Sequence, residues 1–399
     1  MHRLGERFSP RHLPCVASAQ SISARISCET FSEVRGVEHV NNIGCDMNSV
    51  KLLAAAAGLA LAACSQPATD SASGDSEAAA EARVVNVYSA RHYSSDAAIY
   101  AAFTESTGIE VNLVSANGDQ LIERVRADGE RSPADVIITV DAARLHRAEQ
   151  AGLFASADYS DLASGIGANL IDPEGYWVSF AKRSRVIAYS NDRVQPGEIA
   201  TYEDLADPRW EGRICVRESG NAYNQSLLAA MVAHLGEDGA QAWAQGIVDN
   251  MAREPQGGDR TQINGIAAGE CDVAILNHYY YAMMVNSEDP AAQAAAAAVT
   301  LFFPSQETTG AHVNVSGAGI AVNAPHPEEA RELIAFFLGD YAQRAFAEMT
   351  NEIPVRGDVS WDNPTLAAML PFTEDSLNVS ELGDHNETAQ RIFDRVGWQ

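Results

Sequence analysis

Between Val84 and Val140 short apolar runs alternate with helix-patterned stretches, and this alternation limits the fold more than any other feature of the 399-residue chain. Val84 to Tyr88 is an apolar run suited to a buried strand. Asp96 to Thr107 puts Ile99, Ala102 and Phe103 at helical spacing and stops at Gly108. Ile109 to Val114 then alternates as a strand, Leu121, Ile122 and Val125 mark a second helix ending at Gly129, and Asp135 to Val140 is another buried strand. A βαβαβ run of this kind predicts a parallel sheet covered by helices.

A new region starts at Val186 to Tyr189. It has strands at Arg213 to Val216, Asp272 to Leu276 and Gly317 to Val322, and helices at Tyr223 to His234, Ala291 to Ala298, Glu328 to Leu338 and Tyr341 to Met349. Two α/β lobes fit this length, and ligands in such sheets bind beyond the carboxyl ends of strands. With 46% hydrophobic residues, disorder of the whole chain is ruled out. A formal charge of -27 repels polyanions and argues against nucleic acid as a partner.

Leu52 to Ala63 is apolar, follows Lys51 and a second candidate start at Met47, and is too short to span a bilayer. It ends in Leu61, Ala62, Ala63, Cys64, which resembles the lipobox of bacterial lipoproteins, where the cysteine thiol takes the lipid. The expectation is therefore an upstream extension that is no part of the folded protein (1–46), a lipoprotein signal peptide (47–63) and a flexible tether (64–83) rich in Ala, Ser, Asp and Glu. The folded part is then exported and tethered to a membrane by lipid at Cys64. An ordinary secretory signal with an incidental cysteine is the alternative. In an oxidising compartment Cys215 and Cys271 can be bridged. Each lies eight residues before a tyrosine, Tyr223 or Tyr279, as if at equivalent heights on neighbouring strands. Two unrelated buried thiols are the other reading.

The sequence holds no Gly-rich phosphate loop, HExxH, paired CxxC or G-x-S-x-G, and no nucleophile and base pair supports an enzyme. What it offers is tyrosine just past predicted strands: Tyr93 after Arg91 and His92, Tyr223 within Arg217 to Ser226, and Tyr279, Tyr280 and Tyr281 after Asn277 and His278. Phenolate is a hard anionic donor suited to a hard trivalent cation, which displaces a proton that otherwise leaves only near pH ~10. Aromatic residues at strand ends also pack cores and rims, and spacing alone leaves both readings open.

Val87 to Tyr93, Ser132 to Asp141, Tyr202 to Trp210, Gly212 to Ser226, Arg253 to Gly257 and Asn277 to Tyr281 resemble, in order, segments of the periplasmic ferric-iron-binding proteins of bacterial ABC importers. These are transferrin-like type II periplasmic binding proteins, and the resemblance covers nearly all of 84–399. It implies an α/β, two-lobed type II periplasmic binding protein fold with a ligand cleft between the lobes, the first lobe from 84–185 and 310–360 and the second from 186–309 and 361–399. It implies metal ligation by Tyr93 from the first lobe and by Tyr223, Tyr279 and Tyr280 from the second. His92 matches a histidine that ligates in some members and is idle in others, and Tyr281 matches no usual ligand. Strand alternation would point Tyr279 and Tyr280 to opposite faces, so both can ligate only if the strand has ended. Four phenolates around Fe(III) leave a net charge of minus one, for which Arg91 and Arg217 are the candidate counter-charges.

The implied cargo is iron, with Fe(III) favoured and Fe(II) open. A synergistic anion completes the shell in some relatives, and protein ligands or water do so in others. The implied role is that of a monomeric substrate-binding protein delivering iron to an ABC permease in the inner membrane. A binding protein of the same fold for a polyamine, thiamine or an inorganic anion is the alternative. Mass spectrometry of the mature protein should find no peptide from residues 1–46, and finding one would contradict the assignment of that stretch as an extension.

Overall fold

The computed structural model describes residues 82–93 and 96–399. The expectations for the extension 1–46, the signal peptide 47–63, Cys64 and the tether as far as residue 81 lie outside the described residues.

The first half follows the predicted alternation: β1 (Val84–Ser89), α1 (Asp96–Thr107), β2 (Glu110–Ser115), α2 (Gly118–Asp128), β3 (Val136–Thr139) and α3 (Ala142–Gln150). β1 pairs in parallel with both β2 and β3. Val85, Val87, Val136 and Ile138 on these strands are fully buried with Ile99, Phe103 and Leu121 from the covering helices. Helix ends obey local chemistry. The Asn117 side chain accepts from the Asp119 amide to cap α2, and the Asp141 side chain caps α3 through the Arg144 amide.

The expected boundary at Val186 falls inside one long strand, β4 (Val178–Ser190). The sequence Ala181-Lys182-Arg183-Ser184-Arg185 has the polarity of a loop, yet all five residues are buried. Its ladder partners explain this. The first half of β4 pairs antiparallel with β8 (Val313–Ile320), and the second half pairs with β6 (Val273–Asn277) and β7 (Val299–Phe302). β8 in turn pairs with β3, so a single sheet runs in the order β2, β1, β3, β8, β4, β6, β5, the last being the short strand Ile214–Cys215. β4 therefore crosses from one core to the other.

Beyond β5 lie α4 (Ala222–Asp249), α5 (Asp259–Ala268), and then β6, which runs directly into α6 (His278–Val285); α7 (Pro290–Ala297) follows. Gly236, at φ 72, breaks the path of α4, so the helix predicted to stop near His234 resumes beyond it. Period-two alternation sets the core here. Ile187, Ile214, Val273 and Ile275 pack on one face with α4, whereas Val186, Cys215, Ala274 and Leu276 pack on the other with Ile263 and Ile266 of α5.

After β8 come α8 (Pro327–Leu338), α9 (Asp340–Thr350), the short strand β9 (Ile353–Pro354), α10 (Pro364–Ala367), α11 (Glu381–Asp384) and α12 (Asn386–Val396). The last segment serves both cores. Val379 and Leu382 join the first, Ile392 and Phe393 the second.

Cys215 and Cys271 form a disulfide. They are not at equivalent heights. The β5–β6 register sets Cys215 opposite Ala274, and the bridge slants back to Cys271, ahead of β6. With a sequence separation of 56, loss of the loop constraint in a Cys215→Ala/Cys271→Ala variant should cost about 4 kcal/mol of unfolding free energy in a chain-entropy account. An unchanged denaturation midpoint would show that the bridge is not formed in solution.

Candidate metal centre

Each predicted tyrosine sits where a chain segment leaves the sheet. Tyr93 follows β1. Tyr223 is in the first turn of α4, whose cap Asn221 accepts from the Tyr223 amide through its side chain. Tyr279 and Tyr280 are in the first turn of α6, because β6 ends at Asn277 and the helix begins at His278. The condition that the strand end before both rings is thus met, by a helix start.

Three of the phenols meet. Tyr93 Oη donates to Tyr279 Oη at 3.3 Å, and Tyr279 Oη donates to Tyr223 Oη at 3.2 Å. Asn277 Nδ2 donates to the same Tyr279 oxygen at 3.3 Å. Tyr280 joins through its ring, 4.4 Å from that of Tyr279 between centroids. Tyr279 is fully buried and Tyr223 nearly so. His92 lies to one side: it is exposed, its ring stacks on Tyr93, and Nδ1 sits 3.2 Å from the Ala90 carbonyl oxygen. Tyr281 packs against the core that Ile263 and Ile266 of α5 join.

Burial pushes the phenols of Tyr93, Tyr279 and Tyr280 up from the ordinary tyrosine value. The next largest cause is the Glu352 carboxylate for Tyr93 and neighbouring Tyr223 for the other two. At neutral pH without metal these groups are therefore protonated, as their donor–acceptor chain requires. Among the described residues no three His, Cys, Asp or Glu side chains gather as a metal site, so the phenols are the donor set to consider.

The expected cations are present, but both are already paired. Arg91 is buried over the Tyr93 ring at 4.8 Å and bonds Asp96 at 2.9 Å and Glu352 at 2.8 Å. Burial alone would raise the Glu352 carboxyl, yet Arg91 holds it below the usual value. Arg217 lies 5.5 Å from the Tyr223 ring and bonds Asp259 at 3.0 Å, and Arg185 bonds the same carboxylate at 3.1 Å.

The residue that sequence reasoning missed is Arg183. It is 2% exposed, 5.3 Å from the Tyr223 ring centroid, and none of its guanidinium nitrogens has a hydrogen-bond partner among the described residues. Arg91, Arg185 and Arg217 share Asp96, Glu352 and Asp259 as bonded partners, whereas Arg183 bonds none of them. Its signal in the sequence was an arginine inside a stretch that the strand pairing buries, which only the tertiary fold reveals.

A cavity of about 490 Å³ opens beside the cluster, lined by His92, Asn117, Arg144, Asn221 and Tyr223 among others. Of the four tyrosines, Tyr223 is the one that lines it.

Comparison with known proteins fits this arrangement. Residues 131–376 match the family model described as bacterial extracellular solute-binding protein. The chain is 48% identical over 324 residues to iron uptake protein A2 of Synechocystis, covering 81% of this chain and 92% of the relative. A Trichodesmium protein solved in complex with iron and citrate ligands superposes with a TM-score of 0.76 at 46% identity, covering 79% of this chain and all of the other (100%). A ferric binding protein from Campylobacter jejuni gives a TM-score of 0.75 at 34% identity over 79% of this chain and 100% of its own. The fold is accordingly the two-lobed type II α/β fold of periplasmic binding proteins.

Arg183→Met removes the surplus buried charge while keeping most of the side-chain volume. The iron-free variant should be more stable than the wild type by about 1–3 kcal/mol in denaturant unfolding. A loss of stability would show that the guanidinium is paired in solution.

Proposed function

Since the chain belongs to the bacterial extracellular solute-binding proteins and to their ferric-iron-binding branch, we propose that it captures Fe(III) through the phenolates of Tyr93, Tyr223, Tyr279 and Tyr280 and passes it to an ABC permease in the inner membrane. The observation that carries this reading is the contact of three phenol oxygens from separate segments, beside a buried cation lacking a carboxylate partner. Each phenol that binds the ion gives up its proton. Fe(III) with four phenolates has one net negative charge, and Arg183 supplies one positive charge to offset it. Fe(II) in the same set carries two negative charges, which favours the oxidised ion as cargo.

Tyr93 comes from the first lobe and the other three from the second, so the ion joins the lobes. It favours the closed arrangement only by its extra affinity for it. The role is capture rather than catalysis, carried out in the periplasm by a monomer that lipid on Cys64 holds near the membrane. A chelating anion such as citrate, present with iron in the Trichodesmium relative, has access through the cavity beside His92. A polyamine would need free carboxylates, whereas Asp96, Asp259 and Glu352 are all paired with arginine.

Titration of the protein with ferric citrate at neutral pH should produce the visible phenolate-to-Fe(III) charge-transfer band, and the absence of a band would contradict the reading. Tyr223→Phe and Tyr279→Phe should each weaken binding by more than about 100-fold, since even loss of an outer partner costs 10–100-fold at metal sites. Lowering the pH protonates the phenolates, so the band should bleach on acidification and return on neutralisation.

A further inference from the structure

Asp259, the first residue of α5, is 1% exposed and touches none of the four tyrosine hydroxyls by hydrogen bond, yet it bonds groups on the segments that lead to Tyr223 and to Tyr279. Its Oδ1 accepts from Arg217 Nη1 at 3.0 Å. Its Oδ2 accepts from Arg185 Nη1 at 3.1 Å and from the Asn277 backbone amide at 2.7 Å. These donors lead to different ligands. Arg217 packs over the Tyr223 ring, and its carbonyl oxygen accepts from Asn224 Nδ2 in the first turn of α4. Arg185 Nη2 donates to Asn224 Oδ1 at 2.8 Å. Asn277 precedes α6, and its side chain donates to Tyr279 Oη.

The helix that carries this carboxylate is itself wedged. A Cβ added at Gly265 of α5 would stand 3.3 Å from Cys215 Sγ and 3.2 Å from Arg253 Nη2, so α5 sits directly against the disulfide and has little room to approach it. The bridge joins the end of β5 to Cys271, two residues ahead of β6, and these two strands lead to Tyr223 and Tyr279.

We infer that Asp259 is a positioning residue for iron capture, fixing the spacing between the phenol of Tyr223 and those of Tyr279 and Tyr280 by tying the segments that carry them to one buried carboxylate. The inference rests on the phenolate reading above. Positioning and simple charge make opposite predictions here. A buried negative charge near the phenols opposes their ionisation, so by charge alone removing it should strengthen iron binding. If the carboxylate sets ligand spacing, removing it should weaken binding.

The test compares the wild type with Asp259→Asn, Asp259→Glu and Ile392→Ala, the last a cavity in the second core far along the chain from the site. Measured for each are iron affinity by competition with citrate, the charge-transfer maximum, and the melting temperature of the iron-free protein. Positioning predicts that Asp259→Asn and Asp259→Glu both lose at least tenfold in affinity and shift the band, while Ile392→Ala melts lower with its band and affinity unchanged. Asp259→Glu keeps the charge and moves only the geometry, so it decides the matter if Asp259→Asn does not fold. Tighter or equal binding by the Asp259 variants would overturn the inference. So would an affinity loss that merely tracks melting temperature and is matched by Ile392→Ala. A wild type without the band would instead overturn the phenolate reading itself.

Discussion

A guanidinium buried against a phenol, with no carboxylate partner among the described residues, is the constraint around which this molecule is organised. Desolvating an unpaired cation is costly, and a negative charge brought beside it offsets that cost. Tyr93 and Tyr279 of the same cluster cannot supply that charge by themselves, because burial keeps them protonated at neutral pH. A hard cation that strips their protons converts a neutral, hydrogen-bonded cluster into an anionic one, and the strained charge of Arg183 then becomes the counter-ion. Metal capture and charge relief are in this view the same event.

The sheet makes the arrangement possible. β4 runs through both cores, carrying Arg183 and Arg185 on consecutive turns of the pleat, so the cations are fixed to the element that joins the lobes. Tyr93 follows β1 of the first core, and Arg91 beneath its ring is clamped by Glu352 from the segment after α9. The other tyrosines leave the second lobe at two helix starts. There the backbone turns sharply enough for adjacent residues 279 and 280 to face one region.

Much of this was legible in the sequence because the relevant signals are local. The βαβαβ alternation of Val84 to Val140 and the strand before Asn277 reflect apolar periodicity, which survives into the structure with shifts of a residue or two at the ends. The tyrosines stood out by type and by place. What was not legible depended on distant pairing. The boundary expected at Val186 falls inside β4, whose Lys182, Arg183 and Arg185 are buried where β8 and β6 pair with it. Arg91 and Arg217 were found as cations near the site, but their neutralisation by Glu352 and Asp259 lies in sequence separations that no short motif records. The kink at Gly236 and the slanted Cys215–Cys271 bridge are likewise set by packing and register.

Resonance Raman spectroscopy of the iron-loaded protein, excited within its visible absorption, tests the central claim most directly, since it reports which groups are bonded to the ion. Enhanced ring modes of tyrosinate, diminished when Tyr279 is replaced by phenylalanine, are the predicted result. A spectrum showing only chelator or solvent modes would mean that iron reaches the protein without displacing a phenol proton, and would contradict the account.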